Sequence, residues 1–256
     1  MIVFNTDLDN TLIYSYKHDI GNEKINVELY QGREISFVTK KTYRMLKDIS
    51  EKILVVPTTT RTQQQYERIN LGIENIKYAL VCNGGVLLVN GKRDEKWISH
   101  SKEIISDCMS ELSKAIDLLE KENRRNFEVR FIEEMFVFTK CIEPEKVVEY
   151  IKDRLNCSLV DVFSNGTKIY VVPKKLNKGN AISRLKEYLG GTTIIAAGDS
   201  EFDIQMVETA DIGIVPLGFK EKYGNINKLI QVKGKHIFSE ELLELTEQII
   251  KEKQYG

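Results

Sequence analysis

The 256-residue sequence predicts an α/β protein, a parallel-sheet core interrupted by an antiparallel α+β insert. Two observations carry this reading. Short, almost continuously apolar runs alternate with amphipathic helical stretches, as expected for a parallel sheet covered on both faces. From about 99 to 172 the pattern changes to helix, strand, strand, and then repeats that order. Its paired strands are joined by connections short enough only for antiparallel neighbours.

The apolar runs are IVFNT (2–6), ILVVPT (53–58), YALVC (78–82), TIIAA (193–197) and IGIV (212–215), each read as a buried strand. Residues 14–39, YSYKHDIGNEKINVELYQGREISFVT, exceed a bare strand-to-helix connection and predict a flap with VELY and ISFV as its hairpin. Tyr16, His18 and Arg33 fall in it, where a surface position explains them as well as contact with a ligand. Helical patterns occupy 41–51, 62–71, 179–189 and 202–209.

The insert opens with a long helix over 101–122, with Ile104, Ile105, Cys108, Met109, Leu112, Ala115, Ile116 and Leu119 on one face. FEVRFI (127–132) and MFVFTKCI (135–142) read as strands. Pro144 suits the first turn of a helix carrying Val147, Val148, Ile151 and Leu155. SLVDVF (158–163) and TKIYVV (167–172) then flank a Ser-Asn-Gly turn. The chain closes with SEELLELTEQIIKEK, where Ser239 can cap and Glu240 and Glu241 favour the positive helix end. The predicted division is 1–98 with 173–256 for the core, and 99–172 for the insert.

Lys plus Arg (37) balances Asp plus Glu (38), which argues against a nucleic-acid surface built on bulk charge. No apolar run approaches a membrane span, and the N-terminal residues lack a secretory pattern. The four cysteines are far apart without a C-x-x-C pair, and the three histidines are scattered, so neither a zinc site nor a disulfide framework is indicated. A cytoplasmic protein with reduced thiols is expected. It should bind neither nucleic acid nor membrane and should be a monomer or weak homodimer.

The chemistry gathers at predicted strand ends. DLDNT puts Asp7 and Asp9 directly after the first strand. Alone, D-x-D-x-T recurs by chance and reads first as a loop with an Asx-turn. In an open α/β sheet, however, ligands bind beyond the carboxyl ends of strands. VVPTTTRT ends a strand with Thr58, Thr59, Thr60 and Arg61 ahead of a helix, a setting that suits a phosphate or a plain helix cap. LNKGNAISRL puts Lys178 at a helix start, where a cation opposes the macrodipole; it has an anion to meet there or is, as is commoner for any single case, a solvated surface lysine. IIAAGDSEFD ends a strand at Gly198 and follows it with Asp199 and Asp203. Several carboxylates at one sheet edge repel each other, and a hard divalent cation with oxygen ligands offsets that cost.

In order and spacing these segments resemble the haloacid dehalogenase superfamily of phosphohydrolases over nearly the full chain. DLDNT matches its first motif, Thr59 its second, Lys178 its third and GDSEFD its fourth. The insert lies between the second and third and is similar to a type-II cap of subtype B. That group includes sucrose-phosphate phosphatase, mannosylglycerate-phosphate phosphatase, Cof-like sugar phosphatases and phosphomannomutase. The Asn83-Gly84-Gly85 turn and FSNGTKIYVVPKKLNKG resemble the same group. The core would then be Rossmann-like.

The resemblance implies that Asp7 is a nucleophile that forms an aspartyl-phosphate, and Asp9 the general acid and base. Thr59 would hold phosphoryl oxygens, and Lys178 would neutralise charge on Asp7 and the phosphoryl group. It implies Mg²⁺ held by Asp7, Asp199, the Asp9 carbonyl and Asp203, the last directly or through water. Thr60, Arg61, Asn83, Gly84, Arg130 and Lys168 are expected substrate contacts. Arg130 alternates with Val129 and Phe131 and equally suits a solvent-facing position.

Two positions depart from the pattern. Thr60 stands where relatives usually have Gly, and Phe202 where they usually have Asn, which could narrow the phosphate loop and shift Asp203. The expected function is a Mg²⁺-dependent phosphomonoesterase acting on a small phosphorylated metabolite, a sugar or polyol phosphate. A phosphomutase, a receiver-like phosphate sensor and a non-catalytic phospholigand-binding relative are the alternatives. Receiver domains lack such an insert and carry their phosphoacceptor on a middle strand.

Overall fold

The computed structural model describes residues 1–224 and 229–255. It divides into two compact units, Met1–Asp94 with Lys178–Gly256, and Glu95–Asn177. The insert therefore begins at Glu95 rather than 99 and ends at Asn177 rather than 172. A helix already starts at Glu95, ahead of the predicted boundary, and buries Trp97 and Ile98.

The chain opens with β1 (Ile2–Thr6), followed by β2 (Tyr14–Ser15), β3 (Lys24–Tyr30) and β4 (Arg33–Thr39). The last three form a small antiparallel sheet in the order β2-β4-β3, with β3 and β4 as the predicted hairpin. Next come α1 (Lys40–Ser50), β5 (Leu54–Pro57), α2 (Gln63–Tyr66), β6 (Tyr78–Val81), β7 (Val86–Val89) and β8 (Lys92–Arg93).

Two expectations fail here. The helix predicted over 62–71 stops at Tyr66, because the following chain pairs with the flap instead. Asn70 N–H donates to the Val27 carbonyl, and Ile69 bridges Glu28. YALVC forms the buried strand expected of it but is not one of the five strands of the parallel sheet, which it meets at a parallel bridge between Thr58 and Leu80. Its main partner is β7, in the antiparallel order β6-β7-β8. Cys82, Asn83 and Gly84 all take positive φ (53°, 58° and 87°), which folds the chain straight back.

The second unit contains α3 (Glu95–Ile104), α4 (Met109–Glu120), β9 (Arg130–Ile132), β10 (Phe136–Lys140), α5 (Pro144–Lys152), β11 (Val160–Asn165) and β12 (Lys168–Pro173). Its four strands are antiparallel, in the order β11-β12-β10-β9. Leu112, Ala115 and Leu119 of α4 and Val147 and Ile151 of α5 pack with Val137, Val162, Ile169 and Val171 of the sheet. The predicted single helix over 101–122 is instead broken at 105–108. There Asp107 turns its carboxylate to Lys175 (2.6 Å) and to the Cys108 thiol.

The chain returns to the first unit with α6 (Lys178–Tyr188), β13 (Thr193–Ala197), α7 (Ile204–Thr209), β14 (Ile212–Val215), α8 (Phe219–Tyr223), β15 (Leu229–Gln231) and α9 (Phe238–Tyr255). The central sheet is parallel throughout, in the order β15-β14-β13-β1-β5. Phe4, Leu46, Ile49, Val55, Ile195, Leu242 and Ile250 belong to its buried core. Ser239 lies inside α9 rather than capping it. Its hydroxyl meets Thr42 Oγ1 at 2.8 Å, and its N–H donates to the Tyr14 hydroxyl.

Register positions the site. Thr6 pairs with Ala197 on one side and Pro57 on the other, so β1, β13 and β5 end level. Asp7 N–H donates to the Ala197 carbonyl at 2.9 Å, and Thr58 N–H to the Thr6 carbonyl at 2.8 Å. Three chain segments thus leave the sheet side by side.

Candidate active site

At that edge Lys178 is the centre of a buried cluster. The residue is 1% exposed, and its Nζ donates to Asp7 Oδ1 (2.5 Å) and Asp203 Oδ1 (2.6 Å). Two glycines allow this approach. A Cβ on Gly179 would lie 2.5 Å from the Gln205 carbonyl oxygen, so only glycine lets α6 lie this close to α7. A Cβ on Gly198 would lie 2.2 Å from the Asp203 Cβ. Burial works to lower the Lys178 ammonium, but the charges of Asp203 and Asp7 outweigh it and hold the group above its ordinary value.

Carboxylate oxygens of Asp7, Asp199 and Asp203 all lie within 4.8 Å of one another. Burial raises the Asp7 carboxyl well above its usual range; Lys178 opposes this, while Asp203, Asp199 and Asp9 add to it. Asp199 is pushed up to about 7, first by burial and then by the charge of Asp203. Three carboxylates share one ammonium, so ionising all of them leaves an excess of negative charge, and the raised Asp7 and Asp199 carboxyls reflect that cost. A hard divalent cation fits this all-oxygen donor set.

Asp203 has a further task. Its Oδ2 accepts from Asp199 N–H, Ser200 N–H and Ser200 Oγ at 3.2, 3.0 and 2.7 Å. Ser200 therefore ties Asp203 into the loop. Phe202 is half-buried, and Asp203 stays with Lys178 in spite of it. Thr11, the last residue of DLDNT, is fully buried with its hydroxyl 3.2 Å from Asp199 Oδ1 and 3.4 Å from Asp7 Oδ2. Sequence reasoning named it only as part of the motif, although its place there was the available signal.

The Asp9 side chain is held by Arg61. Its two oxygens accept from Arg61, Oδ2 from Nε and Oδ1 from Nη2, both at 2.7 Å. Arg61 Nη1 reaches Glu28 Oε1 at 2.8 Å. Glu28, absent from the sequence expectations, is fully buried and also accepts from Arg68 (3.1 and 3.0 Å) and Ser36 Oγ (2.6 Å). Burial raises the Glu28 carboxyl, yet hydrogen bonds from Arg61 and Ser36 and the charge of Arg61 bring it below the usual range. Arg61, expected as a substrate contact, is thus engaged with two carboxylates.

Thr59 is fully buried, and its Oγ1 accepts from Arg61 N–H at 3.2 Å. Thr60 is half-buried and is not among the residues with positive φ, so its side chain carries no backbone strain. Asn83 and Gly84 sit in the turn beside this loop, where Asn83 N–H donates to the Thr59 carbonyl at 3.0 Å. Arg130 and Lys168 belong to the other unit, on β9 and β12. Arg130 pairs with Glu128 and lies over the Phe127 ring. Tyr16, His18 and Arg33 are exposed on the flap segment.

A family model described as haloacid dehalogenase-like hydrolase matches residues 74–215, more than half of the chain. The chain belongs to this family. Solved structures agree in fold across nearly the whole length. A sucrose-phosphatase from Synechocystis sp. PCC6803, in complex with sucrose and phosphate, is 18% identical with a TM-score of 0.66, over 96% of this chain and 97% of that one. A haloacid dehalogenase-like hydrolase from Bacteroides thetaiotaomicron is 17% identical with a TM-score of 0.58, over 96% and 98%. A trehalose-6-phosphate phosphatase related protein is 16% identical with a TM-score of 0.53, over 99% and 100%. Among curated proteins, no match is found. No helix among the described residues is long and apolar enough to cross a membrane.

Proposed function

We propose that this haloacid dehalogenase-like hydrolase is a phosphomonoesterase that uses Mg²⁺ and acts on a small phosphorylated metabolite, a sugar or polyol phosphate. The observation that carries the reading is the buried Lys178 ammonium held between Asp7 and Asp203, with Asp199 completing the acidic cluster. A lone ammonium among three carboxylates suits a site meant to receive a cation and a phosphate together. The solved structures of sucrose-phosphatase and a trehalose-6-phosphate phosphatase related protein support the substrate class.

In this reading an Asp7 carboxylate oxygen attacks phosphorus in line with the ester oxygen. The Asp7–phosphorus bond forms as the phosphorus–ester bond breaks. Asp9 gives its proton to the departing alkoxide, which leaves as the alcohol. The ionised Asp9 then takes a proton from water, and that oxygen attacks phosphorus and displaces Asp7. Lys178 neutralises charge on Asp7 and on the phosphoryl oxygens, and the Thr59 hydroxyl and adjacent amides hold those oxygens. Asp7, Asp199 and the Asp9 carbonyl would hold the cation, with Asp203 fixing the loop and Lys178. When bound, Mg²⁺ supplies positive charge against the phosphoryl oxygens. The Glu95–Asn177 unit would act as the cap that selects the leaving group.

Phosphate release from p-nitrophenyl phosphate and a panel of sugar and polyol phosphates tests this, with and without Mg²⁺. Turnover that needs Mg²⁺ and vanishes in Asp7→Asn is expected. Turnover that survives Asp7→Asn would overturn it.

A further inference from the structure

We propose that Glu28, on the flap strand β3, is the residue that positions the Asp9 carboxylate, acting through Arg61. This rests on the phosphomonoesterase reading, in which Asp9 is the acid and base.

The guanidinium of Arg61 is fixed from both ends. Its Nε and Nη2 hold Asp9, and its Nη1 holds Glu28 at 2.8 Å. The Arg61 side chain is only 14% exposed, while that of Asp9 is 49% exposed. Glu28 is thus the inner anchor and Asp9 the outer end, which is open to solvent. A two-point grip by a planar fork sets the rotation of the carboxylate as well as its distance. Without the inner anchor, the Arg61 fork can rotate and Asp9 loses its fixed orientation.

The flap is built to deliver this carboxylate. Register shifts on both sides of Glu28 mark a β-bulge in β3. In a regular strand Val27 and Glu28 would point to opposite faces, yet both are buried, at 3% and 0% exposure. The Asn26 side-chain amide holds the distortion by donating to the carbonyls of Glu28 (3.1 Å) and Ser36 (3.0 Å). Once inside, Glu28 is held by the Ser36 hydroxyl at 2.6 Å and by Arg68. A buried charge network of this kind seldom stabilises a fold more than apolar side chains of the same volume. What it supplies that they cannot is a fixed direction for Arg61, whose other end is Asp9.

Glu28→Gln keeps the side-chain size and removes the charge that anchors Arg61. It should lower kcat for an alkyl phosphate by about tenfold with little change in KM, since a misoriented acid is costly where the leaving group needs its proton. The rate of the first turnover with p-nitrophenyl phosphate, whose leaving group needs little protonation, should barely fall. In an Asp9→Asn background the same change should cost less than about twofold, because the group it orients is already gone. A full tenfold further loss in that background, or equal loss with both leaving groups, would overturn the proposal. Ser36→Ala, which removes only one hydrogen bond on Glu28, should shift both rates in the same directions to a smaller extent, and it serves if Glu28→Gln folds poorly. A crystal structure of either variant provides a readout independent of turnover. In Glu28→Gln, Arg61 should lose its two-point contact with Asp9, and in Ser36→Ala the Glu28 carboxylate and the Arg61 fork should rotate from their present orientation; an Arg61–Asp9 contact unchanged in Glu28→Gln would overturn the proposal. Absence of Mg²⁺-dependent turnover in the unaltered enzyme would instead defeat the phosphomonoesterase reading, and the crystallographic comparison would still judge the anchor.

Discussion

Asp199 makes the metal and pH dependence of stability predictable. Its carboxyl ordinarily titrates at 3.8, and burial with the nearby charge of Asp203 raises it to about 7. A raised carboxyl binds its proton more tightly when folded than when unfolded. Its contribution to stability is therefore fully present below the unfolded value and is lost as pH rises through about 7. Moving one group that far corresponds to on the order of 4 kcal/mol. For a chain of this length that is a fall in Tm of roughly 10 °C between about pH 4 and pH 8. On the proposed reading Mg²⁺ binds the ionised carboxylate, so it should stabilise the protein by about 2.7 kcal/mol at pH 8 in a hundredfold excess over Kd, and by less at pH 5. Thermal melts in chelator and in saturating Mg²⁺ at several pH values measure both effects, with Asp199→Asn as the comparison. The variant should melt with a flatter pH profile and a smaller Mg²⁺ response. An unchanged profile in Asp199→Asn, or a Mg²⁺ shift independent of pH, would refute the reasoning.

Lys178→Met leaves Asp7 and Asp203 buried without their ammonium and should cost about 3–5 kcal/mol in urea unfolding at pH 8; a loss below about 1 kcal/mol would contradict the assigned burial. Gly198→Ala puts a methyl group on the Asp203 side chain, 2.2 Å from its Cβ in the present geometry, and should destabilise by about 1–3 kcal/mol, read from the same unfolding curves. Asp9→Asn should lower turnover of alkyl phosphates by about 10²–10⁴-fold and show a burst with p-nitrophenyl phosphate in stopped-flow absorbance, since only proton transfer is removed; a uniform loss without a burst would contradict its role.

The parts of the fold legible in the sequence were those with local causes. IVFNT and TIIAA are mostly apolar runs of strand length, and both are inner strands of the parallel sheet. The flap hairpin follows from two β-rich runs flanking Gln31-Gly32. YALVC has the same apolar character, but its partner is decided by the tight turn at 82–84, so composition could not reveal its sheet. The break at 105–108 falls inside a continuous apolar face, and the Lys175 that meets Asp107 there lies far along the chain.

The site divides in the same way. Asp7, Lys178, Asp199 and Asp203 were found through spacing and resemblance, and the fold brings all four together. Glu28 was missed because a charged residue in an alternating strand reads as solvent-facing. Only the bulge and two distant arginines reveal it as buried. Arg61 was noticed as a cation near a phosphate loop, but its pairing with Asp9 spans 52 residues of sequence and leaves no local trace.

The central claim is that Asp7 carries the phosphoryl group during turnover. Acid quenching of Asp9→Asn during reaction with p-nitrophenyl phosphate and Mg²⁺, followed by peptide mass spectrometry, tests it directly. The peptide containing Asp7 should gain the mass of one phosphoryl group, and the same treatment of Asp7→Asn should leave it unmodified. A phosphoryl group found on another residue, or Asp9→Asn turning over with no modified peptide at any quench time, would contradict it.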